Sequence, residues 1–186
     1  MEREEKIESK MPIENESHKK SNCIFCNWET QDVVFTDEKT VVFNDKYPMA
    51  KIHMLVIPKE HIDNINSLNE DHLELLNQMK TNALNCIKKA NPEINENEII
   101  FGFHTPPFNS INHLHMHCVL PPFKNYYYYF VNTYLMMTKL DILIDNIKNK
   151  KYHWAIQNLI FCKKNKLINY ILNKIILIID FFNSFI

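Results

Sequence analysis

Apolar positions along the chain follow two periods. Val33, Val34 and Phe35 in "DVVFTD" and Val41, Val42 and Phe43 in "TVVFND" form two short runs separated by "DEK". Such β-branched and aromatic runs predict a β-hairpin. "KIHMLVIPKEHI" predicts a third strand, stopped at Pro58 because proline donates no ladder hydrogen bond. Beyond Ser67 the period lengthens. Leu73, Leu76, Met79, Ala83, Leu84 and Ile87 recur at three- and four-residue spacing, which predicts one amphipathic helix. Ser67 and Glu70 have capping-box spacing at its start, and Pro92 closes it. "EIIFGFH" and "HLHMHCVL" predict a fourth and a fifth strand around the two-proline loop "TPPFNSIN", and "LMMTKLDILIDNIKN" predicts a second helix. Strands, helix, strands, helix with tight connections give an α+β fold: a mainly antiparallel five-stranded sheet with two helices.

Both ends differ from this middle. Residues 1–20 are charged throughout and hold no apolar signal-peptide core; they are expected to be disordered. The domain is expected over 21–149, followed by an extension over 150–186. "LINYILNKIILIIDFFNSFI" in that extension is strongly apolar. A span needs ~20 mostly apolar residues, but Lys174 and Asp180 would each cost roughly 2.5–3.5 kcal/mol near its centre. Ile168, Leu172, Ile175, Ile179 and Phe182 fall at helical spacing, so a docking amphipathic helix is favoured over an extension without stable structure and over a membrane anchor.

Composition narrows the function. A formal net charge of −1 among 186 residues argues against attraction of the whole protein to nucleic acid or an anionic membrane. Gly102 is the single glycine, which excludes glycine-rich phosphate loops. Any nucleotide chemistry must therefore use side chains. Five cysteines without a secretory signal point to a reducing compartment, the cytoplasm and also the nucleus.

"NSINHLHMHCVLPP" places His113, His115 and His117 at alternate positions. On a strand they share one face, spaced ~6.6 Å apart, while Leu114, Met116 and Cys118 face the core. A polar sheet face, a metal site and nucleophilic catalysis all compete for this pattern. The outer pair, ~13 Å apart along a strand, is too far separated to close alone on one tetrahedral zinc. A neutral imidazole can attack phosphorus once its other nitrogen donates to a fixed acceptor, and His115 has a helper on each side. "CIFC" reads as half a zinc site or as a redox pair.

These residues resemble the histidine-triad family, in the branch that holds the third Hint-type protein and aprataxin. "HLHMH", "FNDKYPMAKIHMLVIPKEHI" and "GFHTPPFNSINHLHMHCVLPP" carry the likeness, which spans roughly Cys23 to Lys148. It implies hydrolysis at the α-phosphate of adenylated small molecules through a covalent AMP-histidine, with a purine nucleotide as substrate and no cofactor required for catalysis. His115 matches the nucleophile, His117 the phosphate contact and His113 the orienting histidine. His53 matches an outlying fourth histidine, and Ser110 a serine at the phosphate or leaving group. Asn44 and Asp45 are placed at the nucleotide, with Asp45 matching the acid that bonds the ribose hydroxyls. Phe25 and Phe43 match base-pocket positions, and His104 a position near the phosphate. Cys23, Cys26, His61 and His113 match a structural zinc site of relatives. The resemblance also implies a homodimer. Removal of AMP from adenylated DNA ends is the alternative activity, and nucleotide binding without turnover a second one.

Overall fold

The computed structural model describes residues 20–125, 129 and 136–150. The expectations placed on residues 1–19 and on the extension beyond Lys150 lie outside the described residues. Six strands form one antiparallel sheet: β1 (Val33–Thr36), β2 (Thr40–Asn44), β3 (Ala50–Pro58), β4 (Ile100–His104), β5 (Met116–Phe123) and β6 (Met137–Lys139). Their spatial order is β1-β2-β3-β5-β4-β6. Among the described residues, helices α1 (Leu73–Ala90) and α2 (Leu140–Lys148) pack against the sheet. None of the helices among the described residues is long and apolar enough to cross a membrane.

The sixth strand corrects the expectation of five. "LMMTKLDILIDNIKN" reads as one helix because a short apolar run carries no period of its own. Met137–Lys139 instead pairs with the outer edge of β4, and the helix starts only at Leu140. Thr138, buried, holds its hydroxyl 2.7 Å from that of Thr105. The start of α1 also differs. Asn69, not Ser67, forms the capping box, with His72, around a short 3-10 turn (Glu70–His72) that leads into the helix. Ser67 ends a separate turn capped by Asn64.

The pleat sorts residues onto two faces. Val42, Met54, Val56, Met116 and Cys118 point under the helices, where they meet Leu76, Met79, Ile87, Leu143 and Ile147. Each fully buried side chain of this size stabilises by roughly 2 kcal/mol. Val41, Phe43, Leu55 and Ile57 point the other way and are covered by Phe25. Gly102 adopts no left-handed backbone conformation. Its place follows from space, since a Cβ there would lie 2.6 Å from Met137 Cγ and Sδ and 2.9 Å from the Thr138 carbonyl.

Asp37 locks the first hairpin to α1. Its carboxylate accepts from the backbone N–H groups of Lys39 and Thr40 at 2.9 and 2.7 Å, and from the side chains of Gln78 and Asn82 at 2.8 and 2.5 Å. Burial alone would raise its pKa, but hydrogen bonds from Thr40, Gln78, Asn82 and Lys39 outweigh it and pull the value to about 2. A depressed carboxylate adds stability above its unfolded pKa, and that stability is lost as pH falls through the folded value. Asp37→Ala is expected to cost about 2 kcal/mol at neutral pH. The difference from the parent should shrink as the pH falls from about 4 toward 2, checked by urea unfolding across that range.

Candidate active site

Three strands bring the histidines together on the face opposite the helices. β3 carries His53, β4 carries His104, and β5 carries His117. The strand begins only at Met116, so His113 and His115 lie on its lead-in. This differs from a triad set wholly within a strand. The cause is local: the Leu114 N–H donates to the Ile62 carbonyl at 2.6 Å, outside the ladder. The alternation nevertheless holds, with Leu114, Met116 and Cys118 in the core under the helices.

Hydrogen bonds fix which nitrogen of each ring carries the proton. His115 Nδ1 lies 2.6 Å from the His113 carbonyl. A carbonyl only accepts, so Nδ1 holds the hydrogen and Nε2 keeps its lone pair. The Met49 N–H donates to His53 Nδ1 at 3.3 Å. His53 Nε2 must then carry the hydrogen, and it faces His117 Nδ1 at 2.9 Å and Asp45 Oδ2 at 3.4 Å. Donation to His117 Nδ1 leaves His117 with a hydrogen on Nε2, which is buried and without a partner. An unmet buried donor costs roughly 1–3 kcal/mol, a cost that an incoming anion would relieve. The arrangement thus sets a lone pair on His115 beside a donor on His117.

Burial lowers the pKa of His115 despite the His113 carbonyl and the Asp45 charge, which act the other way. His117 is pushed well down by burial and by its neighbours His104, His115 and His53. His53 is lowered mainly by burial, against the pull of Asp45. Burial also takes His113 down to about 4. The cluster therefore favours neutral imidazoles, the form with a lone pair to offer.

The remaining sequence candidates divide. Phe25 packs against Phe43, His113 and His115, with ring centres 5.4, 5.9 and 5.3 Å apart. His104 stands 4.3 Å from His117, ring to ring. Asp45 accepts from the Tyr47 N–H at 2.7 Å and reaches His53 with its other oxygen. Two candidates are not drawn in. Asn44 is exposed and donates to Asp32 at 2.7 Å. Ser110 is exposed on a bend and makes no hydrogen bond to the histidines.

A second cluster shares His113. The ligand atoms of Cys23, Cys26, His61 and His113 all lie within 4.8 Å of one another. Nδ1 of His113 is 3.4 Å from Cys23 Sγ and 3.6 Å from Cys26 Sγ, and Nδ1 of His61 is 3.2 Å from Cys26 Sγ. Tetrahedral zinc with Zn–S near 2.3 Å and Zn–N near 2.0–2.1 Å implies edges of about 3.5 Å. Both histidines donate outward from Nε2, His113 to the Pro58 carbonyl at 2.9 Å and His61 to Asp63 at 3.0 Å. Each Nδ1 lone pair is thereby turned inward, as a ligating imidazole requires. The donor set fits a divalent metal.

Sequence reasoning missed Asp63, which lies only two residues after His61 and was within reach as a partner for it. It also missed the carbonyls of Pro58 and His113 and the Met49 N–H. Those are backbone groups, and no residue type announces them.

The fold, a sheet face bearing a histidine triad, defines a class, and sequence similarity adds the family. A family model described as "Scavenger mRNA decapping enzyme C-term binding" matches residues 21–127. The chain belongs to this family, the histidine-triad proteins. It is 41% identical over 107 residues to the bifunctional adenosine 5'-phosphosulfate phosphorylase/adenylylsulfatase HINT4 of Arabidopsis thaliana, covering 54% of this chain and 71% of that one. It is 35% identical over 136 residues to the adenosine 5'-monophosphoramidase HINT3 of Xenopus tropicalis, covering 68% and 88%. Aprataxin of Gallus gallus is 37% identical over 92 residues, half of this chain but 28% of aprataxin. Among solved structures, a HIT family hydrolase from Legionella pneumophila aligns with a TM-score of 0.50 at 31% identity, covering 56% of this chain and 97% of that one.

Proposed function

We propose that this protein hydrolyses adenylated small molecules at the α-phosphate, through a covalent AMP-histidine, and releases AMP. One observation carries the reading: the His115 Nδ1–H held by the His113 carbonyl at 2.6 Å leaves Nε2 free to attack. In the first step the Nε2 lone pair bonds to the α-phosphorus, and the bond to an amine, a carboxylate or another phosphate breaks, its electron pair leaving with that group and an amine taking up a proton as it departs. In the second step water attacks phosphorus, the P–N bond breaks, and the electron pair returns to His115. The His117 Nε2–H donates to a phosphate oxygen, where negative charge is spread in the transition state. His53 keeps His117 in that tautomer. His104, and Ser110 from its exposed bend, are assigned to the leaving group, and Asp45 to the ribose. Phe25 and Phe43 receive the purine.

In this reading Cys23, Cys26, His61 and His113 hold a structural zinc, which ties the N-terminal segment to the catalytic lead-in. No step of the reaction passes through it. The protein works as a homodimer, in the cytoplasm and also the nucleus. The similarity to a phosphoramidase and to an adenylylsulfatase supports the small-molecule substrate class. The short match to aprataxin supports the DNA-end alternative less, because it omits most of that protein.

The test is a rapid-quench reaction with an adenosine 5'-phosphoramidate, held at alkaline pH and read by intact-protein mass. A transient AMP adduct mapped to His115, followed by free AMP, is expected. Release of AMP without any adduct would overturn the covalent route. Turnover of 5'-adenylated DNA alone would move the reading to DNA ends, and AMP binding without turnover of either substrate would leave a binding module.

A further inference from the structure

The C-x-x-C pair and the proposed nucleophile meet in one residue. His113 turns its ring toward both thiols, 3.4 Å from Cys23 and 3.6 Å from Cys26, and its own carbonyl takes the His115 Nδ1–H at 2.6 Å. Phe25 gives a second connection. It lies inside the C-x-x-C loop, and its ring touches His113, His115 and Phe43. The thiols are unequal in access, with Cys23 half-buried and Cys26 buried. Their sulfurs lie within 4.8 Å of each other, farther than the ~2.05 Å of a disulfide but close enough for a small loop movement to join them.

We propose that Cys23 and Cys26 form an oxidation-sensitive pair whose disulfide disables the histidine cluster through His113 and Phe25. The inference rests on the hydrolase reading given above. Hydrogen peroxide is the oxidant. The more accessible Cys23 thiolate attacks one peroxide oxygen, the O–O bond breaks, and a sulfenic acid forms with loss of hydroxide, which takes up a proton to become water. The Cys26 thiolate then attacks the Cys23 sulfur, the S–O bond breaks, and a second water leaves. Two thiols are oxidised, one peroxide is reduced to two waters, and any metal held by the pair is released.

The consequence is geometric. Once the sulfurs bond to each other, neither carries a hydrogen to donate to His113 Nδ1, and His113 is fully buried. A buried acceptor without a partner is costly, so the ring turns and the 113 carbonyl moves with it. His115 then loses the acceptor that fixes its tautomer. Tightening the C-x-x-C loop also draws Phe25 off Phe43 and His115.

The experiment uses the full chain carrying Cys86→Ser, Cys118→Ala and Cys162→Ser, so that the pair holds the only thiols. The zinc-loaded reduced protein, the peroxide-treated protein, and the latter after dithiothreitol and zinc are compared. Readouts are AMP affinity by calorimetry, the imidazole 15N shifts of His115, and phosphoramidate turnover. If this variant does not fold, the natural chain serves, with disulfides assigned by peptide mapping. Oxidation is expected to join Cys23 to Cys26 and release zinc. AMP affinity and turnover should each fall about tenfold or more, as when a metal's outer supports are lost, and the His115 pattern should change. Reduction with zinc should restore all three. A Cys23–Cys26 disulfide with unchanged AMP affinity and unchanged His115 shifts overturns the inference, as does a pair that stays reduced in peroxide. A reduced protein that turns over no adenylate sinks the hydrolase reading instead. AMP affinity and the 15N shifts then still decide the coupling.

Discussion

His115→Asn is expected to lower turnover of an adenosine 5'-phosphoramidate at least about 1,000-fold, a barrier increase of ~4 kcal/mol. AMP affinity should change by less than about tenfold, because the variant removes an attack made only in the transition state. Asparagine keeps a polar group near the His113 carbonyl but offers no lone pair of comparable nucleophilicity. The comparison with His117→Asn makes the result specific. His117 is assigned a donor to the phosphate, and removal of one such donor costs roughly 100- to 1,000-fold. It should therefore leave a slow reaction that still passes through the AMP adduct, whereas His115→Asn should leave none. Steady-state kinetics and intact-protein mass on both variants decide this. Equal residual rates with an adduct in both would remove His115 from the nucleophile's role.

The histidines were easy to read because their signal is local. Three imidazoles at alternate positions impose one face on any extended segment, whether or not it is paired. The shared face therefore holds although His113 and His115 precede the strand. The C-x-x-C was legible for the same reason. Its closure with His61 and His113 depends on contacts across 35 to 90 positions of sequence, and only the family resemblance placed them together.

What stayed hidden depends on the backbone. β6 is three residues long, and its role as a cover for β4 is set by pairing partners and not by its composition. The space that forbids a side chain at position 102 comes from Met137, 35 positions away. The tautomers of His115 and His113 follow from the carbonyls of His113 and Pro58, which every residue type offers equally. Asn44 and Ser110 show the opposite relation between residue type and place. Their residue types suit a nucleotide, but one is engaged by Asp32 and the other faces solvent in this chain as it stands.

Stripping metal from the Cys23, Cys26, His61 and His113 cluster is expected to lower the melting temperature by about 10 °C or more. A metal held 1,000-fold above its dissociation constant stabilises the native state by about 4 kcal/mol. One kcal/mol shifts the midpoint of a domain this size by roughly 3–5 °C. The effect should be local as well as large. Cys23 and Cys26 stand at the head of the described chain, whereas His113 is on the lead-in to β5. Without a shared ion the N-terminal segment is held by its packing through Phe25 and Trp28 against Val41, Phe43 and Ile57 and by surface contacts such as Lys20 with Asp63. Calorimetric melting with and without a strong chelator reads the stability, and metal analysis of the purified protein reads the stoichiometry. Hydrogen exchange should then show the segment around Cys23 to Trp28 opening first, while the strands under α1 stay protected. Cys26→Ala should reproduce the chelated melting temperature and respond no further to chelator. If the chelator shifts the parent and the variant alike, or neither, the four residues do not hold a stabilising metal.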